Sequence, residues 1–254
     1  MAEAKKHHAK SNDYAQGGGG AEKGGFGDLV QSFQAGDEFY SVQINELSGS
    51  GVSGGALLIV NYGDTPDNLL DDTLTVVIAA NGLEPNQVHI QHIHGEDGTN
   101  AVTPPPSADA DGDGFIELAE GLPFYKGILL NLTSPQGSGL EGFPTAPDGS
   151  IFFSSTYHLH PSAGDTGHGG HAAGDVINNF ADLDEYEIVL HGKTVGAVGD
   201  GTPGEVDGTA GYKLVLPVAS GEIERLDDVN GVSTLAHLRN AFDGHGGNGG
   251  DWLL

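Results

Sequence analysis

Val88-His89-Ile90-Gln91-His92-Ile93-His94 alternates apolar and polar residues for most of its length, and that period of two predicts a strand. As a strand it sets His92 and His94 on one face and His89 on the other. Outward from it, similar stretches predict strands at Glu38–Leu47, Ala56–Tyr62, Thr73–Ala80, Gly127–Leu132, Ser150–His160, Tyr186–His191 and Lys213–Val218. They are rich in Val, Ile, Leu and Tyr and are separated by clusters of Gly, Pro, Asn and Asp. No long amphipathic helix separates them. So many short strands predict an all-β fold, a Greek-key β-sandwich or flattened barrel. One domain is expected over residues 37–226, after a Gly-rich flexible tail at 1–36. Residues 227–254 follow, with a short helix at Ser233–Phe242 and then a Gly-rich tail.

Composition bounds what such a domain can do. In 254 residues there are 43 glycines and 12 prolines, without the three-residue period of collagen. No apolar run approaches the ~20 residues that span a bilayer, so membrane insertion is not expected. The net charge is −27 and the pI near 4.4. Nucleic acid and anionic membranes would repel this chain, whereas divalent metal ions are natural partners. Cysteine is absent, which removes thiol catalysis, iron–sulfur clusters, Cys-ligated zinc and disulfides. The first residues carry lysines but no apolar segment of a secretory signal. The expected location is extracellular or cell-surface by a signal-less route, or the cytoplasm of a salt-tolerant organism.

The sharpest motif is Asp109-Ala-Asp111-Gly-Asp113-Gly114-Phe115-Ile116-Glu117-Leu-Ala-Glu120. It matches the twelve-residue EF-hand calcium loop. Asp109, Asp111 and Asp113 fall at positions 1, 3 and 5, and Gly114 makes the turn. The Phe115 carbonyl supplies position 7, Glu117 ligates through water, and Glu120 closes the site. Thr103-Pro-Pro-Pro precludes an entering helix, and Gly121-Leu-Pro123 is expected to stop the exiting one after a turn. The loop therefore reads as a calcium staple between strands, against the alternative of an acidic solvated turn.

Histidines supply a second candidate site. His92 and His94 share a strand face, Tyr157-His158-Leu159-His160 repeats the device, and His191 ends a third strand. An all-imidazole site suits copper or zinc. Packing or hydrogen bonding at strand ends is the alternative.

The run His89-Ile-Gln-His92-Ile-His94-Gly95 resembles the signature of CHRD-domain proteins, which are secreted β-sandwiches. The stretch from Val189-Leu-His191-Gly-Lys-Thr to Gly208-Thr-Ala-Gly-Tyr-Lys213 is similar to the C-terminal half of copper/zinc superoxide dismutases. The likeness spans roughly residues 55–220 and implies a Greek-key sandwich. It puts His92, His94 and His191 at copper-binding positions and Lys213 near an anion-guiding cation. The dismutase disulfide has no counterpart here. For the bridging histidine and zinc loop, His160, His168, His171 and Asp175 are available in a Gly-rich segment that also reads as mobile surface. A −27 protein repels superoxide unless Lys193 and Lys213 make a local positive funnel.

Three functions are compatible with these features. The expected one is a calcium-stapled, CHRD-like secreted or surface module with an accessory metal site. The second is a copper-dependent dismutase using His92, His94, His191 and one of His158 or His160. The third is a self-assembling matrix or filament protein. No phosphate-binding Gly-rich loop followed by Lys-Ser/Thr is present.

Overall fold

Eight strands and one α-helix form among the described residues of the computed structural model, which covers 37–63, 72–96, 98–158, 180–197 and 204–226. The strands are β1 (Glu38–Glu46), β2 (Ser53–Asn61), β3 (Thr73–Asn81), β4 (Gln91–Gly95), β5 (Gly127–Asn131), β6 (Ser150–His158), β7 (Glu187–Val195) and β8 (Gly211–Arg225). Helix α1 (Leu118–Tyr125) lies between β4 and β5. All neighbours are antiparallel, in the order β5-β4-β7-β8-β1-β2-β3-β6.

Alternating positions build one core. Tyr40, Val42 and Ile44 of β1, Leu58 and Val60 of β2, and Leu74, Val76 and Ile78 of β3 meet Ile93, Ile188, Leu190, Phe153 and Tyr157. Each such aliphatic side chain removed from water contributes about 1.5–3 kcal/mol. The sheet also curls on itself. Just beyond β5, the Thr133 carbonyl accepts hydrogen bonds from the Ser155 hydroxyl (3.3 Å) and the Tyr157 phenol (3.0 Å) of β6, at the far end of the strand order. The all-β, flattened-barrel expectation is therefore met.

Three local expectations are corrected. The strand read from Val88 begins only at Gln91, and Val88 makes an isolated bridge to Thr145. His89 is not on the opposite face of that strand. It is buried, with Nδ1 2.9 Å from the His191 carbonyl and Nε2 3.0 Å from the Glu84 carbonyl. Strands β7 and β8 run several residues further than their apolar stretches, because register shifts around His191 absorb the interruption at Gly192.

Helix α1 continues through Gly121-Leu-Pro123 to Tyr125. A reciprocal pair of side-chain caps between Glu117 and Glu120 starts it, and Pro123 sacrifices only one N–H. Gly121 is required here, since a Cβ would lie 2.2 Å from the Tyr125 ring. The helix expected at Ser233–Phe242 and both Gly-rich tails lie outside the described residues.

Candidate metal centre

β4 and β7 run side by side, with His92 opposite Val189 and His94 opposite Glu187. Ile93, Ile188 and Leu190 take the core face, so the intervening residues project from the other one. That parity brings His92, His94 and His191 together, each buried. Ring centroids are 5.1 Å apart for His92–His191, 5.5 Å for His92–His94 and 6.1 Å for His94–His191. One nitrogen from each ring falls within 4.8 Å of the others. The three could hold one metal ion.

Backbone carbonyls fix the tautomers of two rings. His94 Nδ1 lies 3.0 Å from the Lys126 carbonyl, and His191 Nδ1 lies 2.7 Å from the Val215 carbonyl. A carbonyl only accepts, so each Nδ1 carries the proton and each Nε2 keeps its lone pair. His191 Nε2 sits 3.4 Å from His92 Nδ1. His94 Nε2 is buried with no hydrogen-bond partner. An orphaned buried polar atom costs about 1–3 kcal/mol, which makes it the clearest mark of a ligand position here.

Burial also keeps the rings in the ligand form. Desolvation lowers the His94 pKa to about 4, against a smaller opposing effect of the Lys126 carbonyl. Desolvation first, and then the neighbouring His94, lower that of His191 to about 3. Both are neutral at pH 7.

Aromatic rings enclose the triad. Phe143 meets His92 edge-on with centroids 5.7 Å apart, and Tyr125 meets His94 at 4.7 Å. Tyr125 is carried in by α1. Lys126, immediately after that helix, has φ +70°, a conformation that costs a side-chain-bearing residue about 1–3 kcal/mol. Its carbonyl is the one that holds His94. Opposite His94, Glu187 is fully buried, and its Oε1 accepts from the Thr103 hydroxyl at 2.7 Å. Desolvation pushes its pKa up to about 7.

Of the other expected ligands, only His158 is among the described residues. His158 is exposed at the end of β6, with its main chain bonded to Gln136, because the inward position belongs to Tyr157. It does not join the triad. His160, His168, His171 and Asp175 lie outside the described residues.

Of the calcium-loop residues, Asp109, Asp111 and Glu120 each bring a carboxylate oxygen within 4.8 Å of the others. The loop is folded by its own carboxylates. Asp109 accepts from Gly112 N and Gly114 N, Asp113 from Phe115 N, and Glu120 from Ala110 N. Asp113 stands outside the group of three, with Oδ2 buried and unpartnered. Burial raises the Asp113 pKa, and the charges of Asp111, Glu117 and Asp109 add to that rise. Glu117 turns away into the protein, where it caps α1 and accepts from Val206 N at 2.5 Å. Phe115 packs its side chain against Val195, Val206 and Leu216.

Lys213 and Lys193 are cross-strand partners, but both ammonium groups are engaged. Lys213 pairs with Asp207 at 2.8 Å, and Lys193 donates to the Ser50 carbonyl at 3.1 Å. Asp207 is held well below the usual carboxylate range by hydrogen bonds from Lys213 and Thr209.

Compared with known proteins, the chain matches no family model and no curated protein. Sequence reading passed over Tyr125, Phe143, Glu187 and the carbonyls of Lys126 and Val215. Backbone acceptors leave no trace in residue identity, and the aromatic pair reads as ordinary core.

Proposed function

We propose that this chain is a metal-binding module in which His92, His94 and His191 hold one copper or zinc ion. The buried, unpartnered His94 Nε2, aimed among two other imidazoles, carries the reading. Three neutral nitrogen donors without a carboxylate among them suit copper or zinc over calcium or magnesium. Lys126 and Val215 hold the non-ligating ring edges through their carbonyls, and Tyr125 and Phe143 exclude water from the rings. When bound, copper would supply one-electron chemistry and zinc a Lewis acid.

The likeness to CHRD-domain proteins supports a secreted or surface module. Asp109, Asp111 and Glu120, converging at the start of α1, support calcium as a staple for the preceding loop. Superoxide dismutation is the less favoured activity, since Asp207 neutralises Lys213 and leaves Lys193 to offset a chain of net charge −27.

Metal analysis of undialysed protein, followed by copper and zinc titration of the wild type and His94→Ala, tests the proposal. One equivalent of metal lost in the variant is expected. Equal binding by both would sink it. Copper-loaded protein that consumes superoxide faster than free copper would restore the dismutase reading.

A further inference from the structure

Among the described residues, strand β6 ends the sheet order and pairs only with β3. In an antiparallel ladder the N–H and C=O of one residue point to the same side, and successive residues alternate. His158 turns both groups away from β3. Its N–H donates to Gln136 Oε1 at 2.8 Å, and its carbonyl accepts from Gln136 Nε2 at 3.0 Å. At the other end, Ser150 N–H donates to Asp148 Oδ1 at 3.0 Å. Between these two clips, the same parity points the main-chain groups of Phe152, Ser154 and Thr156 at the open edge. There they make no backbone hydrogen bond to a described residue beyond the ladder. Their side chains are exposed as well, with Phe152 71% exposed.

Two features select the occupant. The open groups are symmetric about Ser154, as self-pairing about a two-fold axis requires. Charge is the other. Neither β6 nor β3 contains an Asp, Glu, Lys or Arg, in a chain of net charge −27. Edge strands are ordinarily blunted by a charge, a proline or a bulge, and β6 has none of these. A cationic partner would find no acid on this strand, whereas a second copy meets an equally uncharged one.

We propose that β6 is the docking edge for a second copy of this chain, paired antiparallel about a two-fold axis at Ser154. Ser154 then faces Ser154 of the partner subunit, and Phe152 lies across from Thr156 of the partner subunit. That register closes about six main-chain hydrogen bonds and covers Phe152 with a β-branched neighbour. One strand pair buries less than the ~1,200 Å² of a standard interface, so the dimer is weak and depends on concentration. Repulsion between two acidic copies makes it tighter in high salt.

Sedimentation of the full chain from roughly 1 μM to roughly 1 mM, in low and high salt, reads the association directly. The expected result is a monomer–dimer equilibrium. Ser154→Lys, which opposes two like charges, should raise its dissociation constant at least tenfold. Ser154→Pro should do the same, and its missing N–H lies outside the β3 ladder, so the strand tolerates it. Circular dichroism checks that both variants fold. Phe152→Ser should weaken the dimer several-fold. Hydrogen exchange at Phe152, Ser154 and Thr156 should slow as concentration rises. A monomer throughout, a dimer indifferent to both Ser154 variants, or edge amides equally protected at every concentration would each overturn the proposal, the last by showing that the chain covers its own edge.

Discussion

The histidine triad and the acidic loop are two ways of gathering ligands. The triad lies on adjacent strands, its rings buried and two of its tautomers set by carbonyls from Lys126 and Val215. The loop lies at the surface, gathers its oxygens within twelve residues, and satisfies most of them with its own N–H groups. A rigid sheet maintains an unsatisfied nitrogen at a continuing cost, whereas a loop relaxes around its charges. The first presents three imidazole nitrogens and no carboxylate. The second is legible in sequence because it is local.

The strongest way to break the comparison is His94→Ala. Loss of a buried imidazole should reduce copper or zinc affinity by more than roughly 100-fold, beyond what second-shell changes cost, and leave any calcium response intact. Isothermal titration with each metal in turn would show it. If the calcium response disappears as well, the two regions are not independent.

Glu187 tests whether burial dominates at the triad's flank. Its folded pKa is about 7 against 4.5, so the folded state holds a proton that the unfolded state releases. Its contribution therefore opposes folding increasingly as pH rises from about 4.5 through about 7. Glu187→Gln should be progressively more stable than wild type across that window, by up to about 3 kcal/mol. Urea unfolding of both metal-free proteins at several pH values measures the difference, and a constant gap would refute the assignment.

At the loop the expected effect is smaller. Calcium at ~100-fold over its dissociation constant should add about 2.7 kcal/mol and raise the melting temperature by roughly 5–10 °C, and EDTA should reverse this. Glu120→Gln should abolish most of the difference. Coincident melting curves with and without calcium would make the loop a solvated turn.

Salt gives the smallest effect. Between ~0.01 and ~1 M ionic strength, cation affinity of the exposed loop should fall about tenfold, while that of the buried triad should change less than twofold. Equal sensitivity would erase the distinction in dielectric surroundings.

The fold was largely legible because β3 and β5 carry uninterrupted apolar stretches between turn residues, and the structure keeps them nearly as read. His92 and His94 were legible as a pair because strand parity is a sequence property, whereas His191 was grouped with them through the resemblance to copper/zinc superoxide dismutases and lies inside β7 rather than at a strand end. The departures come from interactions between distant segments. His89 leaves the predicted strand for carbonyls at Glu84 and His191. Tyr125 packs on Gly121 and His94, in a helix that Pro123 was expected to end. His158 looked equivalent to His94 until Tyr157 took the inward position.

The last strand has a consequence for how the molecule is made. Among the described residues β8 joins β7 to β1, whose register matches Tyr40 with Arg225, and it supplies the Val215 carbonyl that holds His191. Pairing across so much chain is slow, because loop closure precedes any reward from the contact. A growing chain would carry His92 and His94 long before their third companion could be locked in place. Synthesis order would thus act as a timer, delaying metal capture at the proposed triad until β8 has been made and paired.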